Sequence, residues 1–266
     1  MTDPAIPPLH EHLTFHGPLS TARADQLIHS LDRLDGRRVV DLGCGWAELL
    51  LRILIANPTA TGSDIDTDAT AIEHGRRNAT AYGVADRVTL DVGDAATWSN
   101  PAADVLIVNG SSHVWGGDPT THTANTLREG RELLAPGGRL LLGECFWEHQ
   151  PTSAQLAAMP IPLDQYRSLP DLIDLALDHG YRLLSLSQAT LDEWDDFQSR
   201  HALGWEQWLR ANPDSPHTEE IRAKADKHRD AWLRGWRGVL GFAYLTLLAP
   251  DGPRSPVSRP PAGAVA

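Results

Sequence analysis

Small residues that follow an apolar run are the first place in this sequence where chemistry could sit. Val39-Val40-Asp41-Leu42-Gly43-Cys44-Gly45-Trp46-Ala47 reads as a buried strand ending in a glycine loop. Glycine carries no Cβ, so a ligand can approach the backbone there, and the start of a following helix favours polar or anionic groups. Taken alone, the pattern fits a nicotinamide dinucleotide fold or a tight turn. Glu48 stands where the third position of GxGxxG wants glycine or alanine for close helix packing, which argues against NAD. No GxxxxGK[ST] occurs, so there is no phosphate-cradling loop of that kind.

Two later segments carry side chains suited to acting on a substrate. Asn109-Gly110-Ser111-Ser112-His113-Val114-Trp115 follows one apolar run, and Glu144-Cys145-Phe146-Trp147-Glu148 follows another. In a parallel sheet the C-terminal strand ends line the ligand crevice, so both segments are expected beside the substrate. His113 is the first candidate for a general base, because imidazoles exchange protons near neutrality. Its plainer role is to bond a carbonyl or cap a helix. Ser112 and Trp115 would wall a close-fitting pocket. Glu144 is the second candidate base. Glu148 could orient an amine and the Trp147 face could stack on a cation, or the segment is a surface turn with a core tryptophan. Cys145 has no basic partner beside it in sequence to make it a nucleophile. His10, His12 and His16 lack the carboxylate spacing of a metal site, and no metal is expected. His16, just before Gly17-Pro18, would line the pocket if its segment folds over the ligand.

The elements that must hold these residues alternate short apolar runs with helical periods, the pattern of parallel strands and crossover helices. A first helix starts after Pro18, capped by Ser20 or Thr21, with Leu27, Ile28, Leu31 and Leu34 on its buried face. Strands are expected at 38–42, 59–63, 87–92, 103–108, 139–143, 181–187 and 239–248, with helices between them. Gly83 is placed to end the helix over 67–82 in a left-handed conformation. Leu191, Trp194, His201, Trp205 and Trp208 fall on one helical face, and Ile221, Ala225, His228, Trp232 and Trp236 on another. Two amphipathic helices are therefore expected between the last two strands. Their tryptophans are either packed helix faces or the walls of an acceptor pocket.

The glycine loop resembles motif I of class I S-adenosylmethionine (SAM) dependent methyltransferases, an acid followed by GxGxG, with Ala47 in place of the third glycine. Three more segments follow in that family's order. Gly62-Ser63-Asp64-Ile65-Asp66 resembles the second-strand end, where an acid takes the ribose hydroxyls. Val92-Gly93-Asp94-Ala95 resembles the third-strand end that reads adenine. Pro136-Gly137-Gly138-Arg139-Leu140 resembles the turn before the fifth strand. The resemblance covers about residues 37–144. It implies a cofactor set of Asp41, Gly43, Cys44 and Gly45 from the loop, Asp64 and Ile65, Asp94 and Ala95, and Asn109. Asp64 is preferred to Asp66 for the ribose because it sits at the strand end and a carboxylate can accept from two vicinal hydroxyls; Asp66 is read as a helix cap. Asp41 would face the methionine amine or hold the loop's amides.

Composition narrows the partners. The chain has 266 residues, 35 acids against 23 bases and a formal charge of -12. Duplex binding needs a basic footprint, so nucleic acid is disfavoured. Arg222, Lys224, Lys227, Arg229, Arg234 and Arg237 form a locally basic face, read as solvated. The loop after the fourth strand lacks the (N/D)PP(Y/F) signature of amino-group DNA methylases. No apolar run is long enough for a membrane span, and no secretion signal is evident, so a cytoplasmic location is expected. Nine tryptophans against four phenylalanines and four tyrosines, five of the nine between Trp194 and Trp236, mark that stretch as aromatic-rich.

The resemblance therefore implies an α/β fold, a doubly wound seven-stranded Rossmann-like sheet of order 3-2-1-4-5-7-6. An N-terminal helical cap (1–36) and a helical insert (190–238), acting as substrate lid, flank a core of 37–189 and 239–250, with a flexible tail at 251–266. The expected activity is methyl transfer from SAM to a small-molecule acceptor, of which a specialised metabolite is one kind. The competing readings are a SAM-fold lyase or cyclase, a non-catalytic SAM-binding partner, and a macromolecular methyltransferase.

Overall fold

A computed structural model describes residues 12–100 and 102–251. The proline-rich ends, His10 and the tail from 252 onward lie outside the described residues. Seven strands form one sheet in the order β3-β2-β1-β4-β5-β7-β6. They are β1 (Arg38–Leu42), β2 (Thr61–Asp66), β3 (Val88–Val92), β4 (Ala103–Asn109), β5 (Leu134–Trp147), β6 (Arg182–Gln188) and β7 (Leu240–Leu248). The first five run parallel, and β7 is antiparallel to both β5 and β6.

The central strands are apolar because both faces are covered. Val39, Val105, Ile107 and Leu141 pack on one face with Leu27 and Leu31 of α1 (Thr21–Ser30) and its following turn, and with Leu50, Ile53 and Leu54 of α2 (Glu48–Ala56). Val40, Leu42, Leu106, Val108 and Leu140 pack on the other face with Leu127 of α4 (His122–Leu133) and Leu172 of α6 (Leu169–Asp178). The helix α3 (Ala69–Ala81) joins β2 to β3 and adds Ile72 to the first face. The short α5 (Ser153–Ala158), which the sequence reading did not contain, follows β5.

The sheet reverses its winding between β1 and β4, which are direct neighbours. The carboxyl ends of these two strands consequently open a crevice, the place where open α/β sheets bind ligands. Ser20 is the cap of α1, its Oγ accepting from Arg23 N at 3.2 Å. Gly83 does end the α3 segment, at φ +69°.

Between β6 and β7 lie α7 (Leu191–Ala211) and α8 (Thr218–Asp230). Trp205 packs there on Ile221 and Ala225, and His201 stacks on His228 with ring centroids 5.0 Å apart. The face read through Trp232 and Trp236 does not continue as α-helix. Residues Ala231–Trp236 form a π-helical turn, in which Arg237 N donates to Trp232 O at 2.9 Å. The wider turn falls where Gly235 abuts α5; a Cβ on Gly235 would come 2.9 Å from Met159 Cβ.

Candidate active site

The loop after β1 depends on left-handed backbone, with φ +74° at Gly43, +64° at Gly45 and +59° at Ala47. At Gly43 glycine is also required by space, since a Cβ would lie 2.6 Å from Ser111 Cβ. Gly43 N donates to Ile65 O at 2.9 Å, and Gly45 N donates to Asp66 Oδ2 at 2.7 Å. The other Asp66 oxygen accepts from Asp68 N at 2.9 Å. Asp66 is therefore not the cap of α3, as the sequence reading had it. That role belongs to Asp68, whose Oδ1 accepts from Thr70 N at 2.8 Å. Asp66 instead ties the glycine loop to the next helix.

Above the β1 and β4 ends lies a cavity of about 440 Å³, lined by Asp41, Gly43, Cys44, Asp94, Ala95 and Asn109 among others. Asp94 also caps a 3-10 turn, accepting from Ala96 N at 2.9 Å, so its turn role and its place at the wall coexist. One side of the cavity is closed by the segment before α1. Trp46 Nε1 donates to Thr14 O at 2.9 Å, and His16 stacks on Trp46 at 5.2 Å with an interplanar angle of 10°. Phe15 and His16 thus reach the wall, as does His113 from a 3-10 turn over Ser112–Trp115.

Asp41 and Asp64 are directly paired in the β1–β2 register, and both are buried. Asp41 Oδ1 and both Asp64 oxygens have no well-formed hydrogen bond. Burial, then mutual repulsion with Asp64 and Asp66, pushes the Asp41 carboxyl well above the usual range. Burial likewise pushes Asp64 up to about 8, against the opposing influence of the Cys44 thiol and the Ile65 amide. Asp64 is sealed behind the cavity wall in this structure, and Asp66 occupies the wall position at the β2 end.

Other expected site residues are turned elsewhere. Glu144 is buried and spends its carboxylate on Thr123 Oγ1 (3.1 Å), Cys145 N (2.9 Å) and the Ser112 side chain. Burial raises its pKa, but it does not reach the cavity, so it is a clamp rather than a base. Ser112 faces that clamp; its neighbour Ser111 lines the cavity and donates to Leu42 O at 2.6 Å. Trp115 packs on the α4 side of the sheet. Trp147 packs with Met159, Val239 and Leu240 and donates from Nε1 to Leu163 O at 2.8 Å. The pleat of β5 sends it into this cluster and away from the crevice. Glu148 accepts from Gln188 at the rim of a second cavity of about 460 Å³, which Trp194 and Leu240 also line. Gly45 and Ile65 do not line the cavity; their main chains hold the glycine loop, through Gly45 N on Asp66 Oδ2 and Ile65 O on Gly43 N. Phe15, Trp46, Thr67, Ser111 and Val114 reach the cofactor cavity without having been singled out. Adjacency to His16, Gly45 and Ser112 was the only sequence signal for most of them.

The unpaired buried atoms around the cavity are acceptors, namely Asp41 Oδ1, the Asp64 carboxyl oxygens and Asn109 Oδ1. SAM offers the matching donors, an ammonium and two vicinal hydroxyls, and the glycine loop leaves the backbone open to it. The residues fit that cofactor.

Comparison with known proteins agrees. The family model "Methyltransferase small domain" matches residues 18–157. A SAM-dependent methyltransferase from Thiobacillus denitrificans, solved with S-adenosylhomocysteine, is 30% identical, with a TM-score of 0.81 over 90% of this chain and 95% of that one. The uncharacterized protein YjhP of Escherichia coli is 28% identical over 88% of this chain and 93% of its own length. The ribosomal RNA small subunit methyltransferase C of Hahella chejuensis is 31% identical, over 48% of this chain and 38% of its own. The chain belongs to the methyltransferase small domain family and is a class I enzyme that uses S-adenosylmethionine.

Proposed function

We propose that the acceptor is a small molecule. The observation that carries this reading is the character of the chamber. Phe15 and His16 fold over the glycine loop, and the wall is acidic, with Asp41, Glu48, Asp66 and Asp94. Among the described residues no lysine or arginine lines it or the cavity beside Trp194. A polyanionic RNA would meet carboxylates there. The basic face of the insert is also largely neutralised, with Arg222, Lys224, Arg229, Arg234 and Arg237 each paired to an acid.

The cofactor supplies an activated methyl group on a cationic sulfur. The protein's own contribution is alignment and exclusion of water, which together lower the barrier by fixing the approach of the acceptor. Asp41, Asp66 and Asn109 stand at the wall around the donor, with Asp94 beside them and Asp64 behind Asp41. His113 at the cavity wall accepts a proton where the acceptor must lose one. Phe242 lies 3.7 Å from where a Gly110 Cβ would be and 6.3 Å, ring to ring, from Trp194. The insert is thus one aromatic ring away from the floor of the cofactor cavity, and 190–238 serves as the lid over the acceptor.

Incubation with methyl-labelled SAM, a pooled metabolite extract and ribosomal subunits tests the reading. Label in the low-molecular-mass fraction is expected; label confined to RNA refutes it. His113→Ala should lower turnover at least tenfold while the Kd for SAM stays within twofold. Full retained rate would leave His113 as a wall residue only.

A further inference from the structure

The cavity holds more acid than its cofactor needs. Asp41 and Asp64 sit side by side on neighbouring strands, both buried, with Asp41 at the cavity wall and Asp64 behind it, and three of their four oxygens lack a well-formed hydrogen bond. Two carboxylates in such a place cannot both be ionised without a cation, so they share a proton. The groups facing the pair deepen the problem. Asp66 at the β2 end, Asp91 on β3 and the Cys44 thiol are its titratable neighbours. The cavity adds Glu48, Asp94, His16 and His113, and Glu48 is already taken by Arg52 Nε at 2.8 Å.

The donor and the spent cofactor differ by one positive charge. Before transfer the sulfur is a sulfonium; afterwards it is a neutral thioether, its third bond having gone with the methyl group. We propose that Asp41 and Asp64 hold one proton between them in the free protein, release it to solvent when the cationic donor binds, and recover one when the neutral product occupies the site. The pair then matches its own charge to the ligand's. It favours the donor over the product, and so favours exchange of spent cofactor for fresh. Asp41 and Asp64 are specificity-determining residues in this sense, beyond any hydrogen bonds they make to amine or ribose.

The sign follows from linkage. A binding step that releases a proton strengthens as pH rises, by up to about tenfold per pH unit for one full proton. The gain should level off at the pH where the pair is already fully ionised in the free protein. Binding of S-adenosylhomocysteine should lack this dependence.

Infrared difference spectra of the whole chain at pH 7 read the carboxyl directly, independently of the ligand's own amine. SAM should bleach the carbonyl band of a protonated buried carboxyl; S-adenosylhomocysteine should not. The bleach should vanish in Asp64→Asn and in Asp41→Asn. Calorimetric titration with both ligands in phosphate and in Tris then counts protons. Wild type should release about one more proton to SAM than Asp64→Asn does. An equal bleach with both ligands, no bleach with either, or a bleach that survives both substitutions overturns the proposal. Should the variants not fold, the wild-type comparison of the two ligands decides alone.

Discussion

Around the cofactor cavity the chain fixes its main chain, whereas in the 190–238 insert it packs rings. Gly43, Gly45 and Ala47 adopt left-handed backbone, and carboxylates such as Asp66 hold loop amides in place. In the insert the left-handed backbone is confined to Gly238 at its end, at φ +72°. Its two helices meet through Trp205, His201 and His228, and Trp236 of the π-helical turn closes on His228, each ring against another at 5.0 to 5.9 Å between centroids. A site built from backbone tolerates few residue types at a few positions, while a ring-packed insert tolerates many at each. The difference suits a fixed cofactor and a variable acceptor.

If the regions are this separate, damage to one should spare the other. Trp205→Ala should have the largest effect on stability, because the ring is buried on Ile221 and Ala225. Removing it leaves a cavity that costs about 3–5 kcal/mol. Hydrogen exchange should show the loss in α7 and α8, with the Kd for SAM within twofold. A parallel loss of SAM affinity would break the separation. Gly43→Ala should show the reverse pattern. Its new Cβ meets Ser111 in a left-handed conformation, so the loop must move. Conformational strain alone is on the order of 1–2 kcal/mol, and at least a tenfold loss of SAM affinity is expected by calorimetry, with the insert's exchange protection unchanged.

The same contrast explains what could be read from the sequence. The strand order followed from the family resemblance that glycine and aspartate at strand ends carry, and the cofactor crevice was legible because those residues have narrow physical uses there. Ser20 as a cap and Gly83 as a helix terminator were legible for the same reason. Where several acids lie close together the local signal failed. Asp64, Asp66 and Asp68 are equally good oxygens, and only the fold decides which is sealed, which ties the glycine loop and which caps α3. Glu144 and Trp147 failed differently. A strand end places residues near a crevice, but the pleat and the neighbours settle which side chains enter it. The π-helical turn at Ala231–Trp236 had no sequence signature, since tryptophans four apart fit an α-helical face just as well. His201 and His228 were read onto facing helices, but their stacking depended on the packing angle.

A charged contact that joins the regions supplies the smallest and sharpest test. Glu193 completes the capping box of α7 with Thr190, and it reaches back to the start of α1. It accepts from Ser20 Oγ at 2.6 Å and from Arg23 Nε at 2.9 Å, with Arg23 Nη2 at 2.8 Å completing the ion pair. Burial would push its pKa up, but the Arg23 guanidinium, the Ser20 hydroxyl and the Thr190 amide prevail and hold it at about 2. A lowered carboxylate pKa stabilises the fold above the ordinary value of 4.5, and that contribution is lost as pH falls from there toward 2. Glu193→Gln keeps an oxygen for the cap and removes the negative charge that pairs with Arg23. Discounted for solvent screening, the cost is about 1 kcal/mol at pH 7. Urea unfolding of the two proteins at pH 7 and pH 3 should show that gap narrowing at the lower pH. Ser20 lies only four residues after His16, which stacks over the glycine loop. An unchanged Kd for SAM in Glu193→Gln would keep cavity and insert independent. A loss of more than fivefold would mean that the insert controls the segment closing the cofactor chamber, and that the two regions act as one.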